Sequence, residues 1–214
     1  MNDPISIHII PIDHQNISQL KILHQENFNM NYPDYFYNSL EQGFLDFGFY
    51  AQAKDIKEIV GEITLQWKVV KNQMALYVCT LSVSPKYRRQ GIASKLLDYA
   101  ISIADNAHFI YLHTECNNFG AQNLYKNHGF IVQKIVPNYY DSESLDAYKM
   151  RRENEYVEIE NGNYYHIYLF LKDIGYIHSV TDDNEGIEYN QADESVLNHN
   201  RDITNFDNQY LEFI

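Results

Sequence analysis

The sequence predicts an α+β domain: a mixed, mostly antiparallel seven-stranded sheet with helices on both faces and an acidic C-terminal extension. Three observations carry this expectation. Runs rich in Val, Ile, Thr and Tyr, such as Phe47–Ala53, Ile59–Val70 and Tyr77–Val83, read as a strand meander with turns at Asp55–Glu58 and Lys71–Gln73. Two stretches, Ala93–Asp105 and Asn118–Asn127, repeat their apolar residues at helical spacing. Strand-like segments Phe109–Thr114, Phe130–Val136 and Ala147–Arg152 then alternate with or follow those helices.

The remaining elements follow in order. Ile5–Ile10 alternates as a first strand, and Pro11 to Asn16 is a turn with several candidate helix caps. Ile17, Leu20, Ile22, Leu23 and Phe28 suggest one face of a helix. The segment Phe28 to Tyr37 is too aromatic for a solvent loop, so it is expected over the core, with a short helix to about Leu40. His128-Gly129 closes the second of the long helices, with glycine in the position past the last turn. Asn138 to Glu143 reads as a loop.

Composition bounds the chemistry. With 214 residues, 45% hydrophobic and 14% aromatic, the chain is long and apolar enough for a packed core. No apolar run is long enough to span a bilayer, and no signal peptide opens the chain, which leads to the expectation of a cytoplasmic protein. The two cysteines, Cys79 and Cys116, form no disulfide framework, and the nine histidines show no ligand spacing, so no metal is expected. The net charge of −13 is uneven: through Glu153 there are 14 Lys/Arg against 16 Asp/Glu, and from Asn154 onward 2 against 13. Direct nucleic-acid binding and membrane attachment are therefore not expected. The division that follows is a domain over residues 1–153 and an acidic extension over 154–214, with a hairpin signal at Asn161-Gly162 inside 156–171 and a largely flexible remainder.

One stretch organises the rest. The strand ending at Val83 is stopped by Ser84-Pro85, followed by Arg88-Arg89-Gln90-Gly91-Ile92-Ala93 and the start of an amphipathic helix at Ser94. A strand, a basic glycine-containing turn and a helix start make an anion site, because the first-turn N–H groups and the positive end of the helix dipole face the same point. The spacing is neither a Walker A loop nor a dinucleotide fingerprint.

It resembles the pyrophosphate loop of the GNAT acetyltransferases, Arg/Gln-x-x-Gly-x-Gly/Ala, met here by Arg88, Gly91 and Ala93. Further segments are similar to the catalytic subunits of N-terminal (Nα) acetyltransferases: Tyr-Val-Cys-Thr-Leu at 77–81, Tyr-Arg-Arg-x-Gly-Ile at 87–92 and Ile-Tyr-Leu-His at 110–113. So are Asn118-x-x-Ala121-x-x-x-Tyr125, Gly129-Phe130, Asn138-Tyr139-Tyr140 and Asp146-Ala147-Tyr148-x-Met150-Arg151. The Phe28–Tyr37 segment resembles the substrate loop of the NatE type, and the whole is placed closest to the NatE/NatF group. The likeness covers about residues 5–153.

This resemblance implies a GNAT fold in which the central strands part and acetyl-CoA lies between them. Backbone amides of Leu81, Ser82 and Val83 would hold the pantetheine and acetyl carbonyl. Arg88, Arg89, Gln90, Gly91, Ile92, Ala93 and Ser94 would hold the pyrophosphate. Asn118 matches a coenzyme contact, although it also suits a helix cap. Tyr77 and His113 match the base positions, acting through water, and Tyr125 matches the tyrosine beside the coenzyme sulfur. Phe28, Met30, Tyr32, Cys79, Tyr139 and Tyr140 would frame the peptide N-terminus.

The implied function is acetyl transfer from acetyl-CoA to the α-amino group of protein or nascent-peptide N-termini. Such aromatic walls suit an initiating methionine, and no acidic residue stands around Met30 as in enzymes that prefer small first residues. Asn29 replaces an expected proline and Glu143 an expected apolar residue, both of which bear on substrate choice. The alternatives are a GNAT acting on lysine or a small amine, and a non-catalytic subunit of an acetyltransferase complex. An auxiliary subunit or the ribosome is a candidate partner.

Overall fold

The structure, a computed structural model, describes residues 5–28, 31–43, 46–71, 73–140 and 145–154. The acidic extension expected from residue 154, its hairpin, and Asn29, Met30 and Glu143 lie outside the described residues, Asn154 apart.

The elements are β1 (Ile7–Pro11), α1 (Ile17–Asn27), α2 (Asp34–Gln42), β2 (Asp46–Ala53), β3 (Ile59–Val70) and β4 (Gln73–Val83). A short 3-10 turn at Pro85–Tyr87 leads to α3 (Ile92–Ser102), β5 (Phe109–Glu115), α4 (Phe119–Asn127), β6 (Ile131–Tyr140) and β7 (Leu145–Glu153). They form one seven-stranded sheet in the order β1-β2-β3-β4-β5-β7-β6. Every neighbouring pair is antiparallel except β4 and β5, which run parallel. This is the α+β architecture the sequence predicts.

The two faces are covered by different helices. Ile63 and Leu65 of β3 pack with Ile92, Leu96, Leu97 and Ala100 of α3 in the main apolar core. Glu62, one residue before Ile63, points to the opposite face, where it meets His24 of α1. Each fully buried leucine of α3 contributes about 2 kcal/mol through the apolar surface it withdraws from water. Gly61 is needed where β3, β4 and α3 converge: a Cβ there would stand 2.9 Å from the Ser82 carbonyl oxygen.

Three differences from the sequence expectation have physical causes. On α1 the buried face is Ile17, Leu20, Leu23 and His24. Ile22 is exposed, because the helix turns a polar imidazole inward, where Tyr37 and Glu62 receive it. The strand β6 continues through Tyr140 rather than ending at Val136 in a loop. It does so across a bulge in which Asn138 takes φ 52° and its N–H donates to the Asp146 carboxylate at 2.9 Å, replacing a ladder bond. Finally, α3 ends at Ser102, three residues before the expected Asp105.

The central irregularity is a one-residue bulge in β4. Thr64 stands opposite Thr80 and Leu65 opposite Val78, so Cys79 is the extra residue. Below it, Ala75–Val78 pairs with Phe109–Leu112 of β5. Above it, β4 stays paired to β3 as far as Val83 opposite Gly61, while no described ladder pair joins 79–83 to β5. The two parallel strands therefore part at the bulge.

Candidate active site

The parting of β4 from β5 creates a wedge whose β4 wall is main chain. Ser84 N donates to Val60 O at 3.0 Å, which fixes the phase of the β3–β4 ladder. By the alternation of antiparallel pairs, Ser82 and Thr80 then turn their amides toward β3, and Leu81 and Val83 face the wedge. Of the three amides expected to hold coenzyme, the register thus presents Leu81 and Val83. Ser82 faces away, its side chain buried. The Val83 carbonyl accepts from Arg88 Nε at 3.2 Å, which ties the basic turn to the strand end.

At the top of the wedge, α3 begins without a side-chain cap. Gly91 adopts φ 77° and Arg89 φ 65°, so the turn curls back and leaves the amides of the first helical turn facing outward. A Cβ added at Gly91 meets nothing within 4 Å. Such a helix start, with uncapped N–H groups, the dipole and two arginines nearby, suits a phosphate group. Arg88 Nη2 donates to Asn27 Oδ1 at 2.8 Å, and Gln90 Oε1 accepts from Ile5 N at 3.3 Å, so both side chains also brace the turn. Ser94 Oγ lies 2.9 Å from His128 Nε2, and His128 Nδ1 lies 2.7 Å from the Leu124 carbonyl. The carbonyl requires Nδ1–H, while Nε2 faces both the Ser94 hydroxyl and Asp98 Oδ1, the latter at 3.2 Å.

At the bottom of the wedge the walls are side chains. Tyr77 on β4 and Tyr111 on β5 stand opposite each other, and His113 follows on the same face of β5. The Tyr77 hydroxyl lies 3.3 Å from His113 Nδ1 and 3.0 Å from the Tyr139 hydroxyl. Tyr139 stacks on the imidazole with centroids 4.3 Å apart and 16° between planes. Tyr140 meets Tyr139 edge-on at 5.0 Å. Burial, then the adjacent Tyr139 and Cys79, push the Tyr77 phenol well above the ordinary tyrosine range. Tyr77 therefore keeps its proton at neutral pH. With a single proton to give, it donates to one of these two neighbours and accepts from the other.

Tyr125 comes from α4 and is buried beside Phe130. Burial raises its phenol, and the carboxylate of Glu62 raises it further. Asn118 caps α4, its Oδ1 accepting from Ala121 N at 3.1 Å. Burial likewise raises the Cys79 thiol, so it is a neutral wall residue rather than a thiolate.

The residues expected around the peptide N-terminus fall into two aromatic groups. Tyr139 and Tyr140 surround His113 and Tyr77, as described. Phe28 and Tyr32 meet each other at 5.6 Å and both pack on His24, at 5.2 and 4.7 Å. Sequence reasoning passed over His24 and Glu62. The available signal was a carboxylate inside the apolar run Val60-Gly61-Glu62-Ile63, where a charge is rarely buried without a partner.

Among the described residues, no group of His, Cys, Asp and Glu is arranged to hold a metal ion, and no helix is long and apolar enough to cross a membrane. A parted pair of parallel strands, leading from an uncapped helix start to a Tyr–His pair, is the α+β arrangement that the resemblance to the GNAT acetyltransferases implies. The chain belongs to the acetyltransferase (GNAT) family, whose profile matches residues 17–130. It is 34% identical over 145 residues to N-alpha-acetyltransferase 50 of Danio rerio, covering 64% of this chain and 82% of that protein. Arabidopsis thaliana Naa50 in complex with the bisubstrate analogue CoA-Ac-MVNAL superposes with a TM-score of 0.62 at 29% identity, over 70% of this chain and 100% of that one. The NatC complex bound to Gag peptide and CoA contains a chain with a TM-score of 0.60 at 27% identity, over 70% of this chain and 99% of that one.

Proposed function

We propose that this protein is an Nα-acetyltransferase that moves the acetyl group of acetyl-CoA onto the α-amino group of protein N-termini, with methionine first. The observation that carries the reading is the wedge: main-chain donors on one wall, a phosphate-suited helix start above, and a Tyr–His pair below. A relative whose analogue joins CoA to a Met-starting peptide supports the same pairing of substrates.

Acetyl-CoA, when bound, supplies an activated acetyl thioester. The α-amine has an ordinary pKa near 8, so a mild base is enough. His113 accepts the amine proton, through Tyr77 and an intervening water, at the Nδ1 that faces the Tyr77 hydroxyl. Imidazole is suited to proton exchange near neutrality, whereas the raised phenol of Tyr77 acts as a relay and not as a phenolate base. The Leu81 and Val83 amides face the wedge to hold the pantetheine, and an N–H there steadies the charge that gathers on the acyl oxygen as the C–N bond forms. The C–S bond then breaks. Tyr125, which keeps its own proton, donates a hydrogen bond to the departing sulfur.

The α-amine and first side chain are received between the Phe28–Tyr32 and Tyr139–Tyr140 groups, with Cys79 completing the wall; Met30 is assigned to substrate from the family resemblance alone. Residues 1–153 constitute the catalytic domain, and residues 154–214 an acidic extension. Two free cysteines fit a reducing, cytoplasmic setting. An auxiliary subunit or the ribosome is a natural partner, as one similar chain belongs to a named multi-subunit complex.

The purified full-length chain, incubated with acetyl-CoA and Met-starting peptides, is expected to release coenzyme A and yield α-N-acetylated product by mass spectrometry. Transfer only to lysine ε-amines or to a small amine such as spermidine would overturn the reading. Coenzyme A binding without any transfer would point to a non-catalytic subunit.

A further inference from the structure

Beneath the α1–α2 segment lies a buried polar group that the acetyl-transfer chemistry does not use. His24 is 1% exposed and Glu62 0%, with Thr64, Thr80, Ser82 and Tyr37 buried around them. Glu62 Oε2 accepts from the Thr80 hydroxyl at 2.9 Å, and Thr80 is bonded to Thr64 across the strands. Glu62 Oε1 lies 3.7 Å from His24 Nε2. His24 Nδ1 lies 3.2 Å from the Tyr37 hydroxyl.

Two features set this group apart from ordinary core. Among the described residues, His24 Nε2, Glu62 Oε1 and Ser82 Oγ are buried without a hydrogen-bond partner, and a buried polar atom left without one costs stability. Buried polar pairs can be replaced by apolar residues of similar shape with little loss of stability. The second feature is placement. The imidazole is ringed by Phe28, Tyr32, Phe36 and Tyr37 of the α1–α2 segment, all with centroids within 6 Å. The carboxylate is hydrogen-bonded to Thr80, the residue next to the Cys79 bulge at which β4 leaves β5. The pair therefore spans from the aromatic acceptor wall to the strand that shapes the wedge.

We propose that His24 and Glu62 are positioning residues for the acceptor: together they fix the Phe28–Tyr32 wall at a set height above the β4 bulge, and so determine peptide affinity. Neither touches the reacting atoms. An aromatic wall resting on an apolar floor slides with little resistance, because dispersion contacts are non-directional. Here the ring on which the wall packs is held at Nδ1 by the Tyr37 hydroxyl and faces, at Nε2, a carboxylate that Thr80 fixes; those two hydrogen bonds are directional, so the wall has one preferred height. The inference rests on the acceptor site proposed above.

The test replaces the pair by apolar residues of similar size, His24→Phe with Glu62→Met, in the full-length chain. Expected is a rise of about tenfold in the peptide KM, as a wall displaced by a fraction of an ångström spoils the fit. The acetyl-CoA KM is expected to stay within about twofold and Tm not to fall. A peptide KM unchanged within about twofold overturns the proposal, as does a joint fall of Tm and a rise in both KM values, the mark of a merely structural role. Should the double variant not fold, Glu62→Gln, which keeps the Thr80 bond, and Tyr37→Phe, which removes the ring-nitrogen partner, decide by the same ratio of KM values. A wild-type chain that acetylates no peptide defeats the acceptor reading itself, and is thereby told apart from failure of this pair.

Discussion

The two ends of the wedge are built from different material. At the donor end, proposed to hold coenzyme A, the groups facing the wedge are main-chain amides: Leu81, Val83 and the first turn of α3, with Gly91 setting the curl. At the acceptor end, proposed to receive the peptide, they are side chains, Tyr77, His113, Tyr139, Phe28 and Tyr32, held by ring contacts and hydroxyl bonds. Coenzyme A presents one unchanging outline, which a backbone cradle reads without regard to most side chains. Peptide N-termini vary, and only side chains can be exchanged to follow them. Sequence change should therefore be tolerated at the donor end wherever φ is preserved, and be felt at once at the acceptor end.

The largest effect expected comes from the acceptor end. Tyr77→Phe with His113→Ala should lower kcat by about 10²- to 10⁴-fold through loss of the proton path, with acetyl-CoA binding by calorimetry little changed. An unchanged kcat would remove both residues from the chemistry. Tyr125→Phe, at the join of the two ends, should lower kcat by about tenfold or more, since a hydrogen bond to a charged group is worth about 1.5–3 kcal/mol. A leaving group of lower pKa than the natural thiol should narrow that difference.

The donor end is expected to answer more weakly. Gly91→Val places a β-branched residue at φ 77°, a strain of about 1–2 kcal/mol. The acetyl-CoA KM should rise by about five- to thirtyfold with the peptide KM constant. A matching rise in peptide KM would erase the distinction between the ends.

The smallest effect is one of pH. The phenols of Tyr77, Tyr125 and Tyr140 are all raised, chiefly by burial. A phenol whose pKa is higher folded than unfolded favours the folded state below about pH 10 and ceases to as pH rises above it. Denaturant midpoints should thus be flat through neutrality and fall above pH 10, less steeply in Tyr125→Phe.

How much of this was legible in the sequence depends on the range of the interactions. The donor end was legible because it is local: Ser84-Pro85, Arg88, Gly91 and the helix start follow one another along the chain. The strand meander was legible from its period, and Tyr77 with His113 from the motifs that carry the family resemblance. The bulge at Cys79 was not, since a one-residue slip shows only against the partner strand. Nor was the phase that turns Ser82 away from the wedge. His24 and Glu62, 38 positions apart in the numbering of the chain, read separately as a helix polar residue and an anomaly in a strand. Only α1 folding onto β3 joins them. The continuation of β6 through Asn138 was hidden for a similar reason, as the carboxylate that sustains it belongs to the next strand.

The edge that β4 turns away from β3 has a further consequence. Among the described residues, Thr80 to Val83 have a ladder on one side only, so a ligand lying there acts as a missing strand of the sheet. Occupancy at a hundred times Kd would add about 2.7 kcal/mol to the folded state. Added acetyl-CoA is therefore expected to raise the Tm of this protein and to slow its cleavage by proteases in step with occupancy.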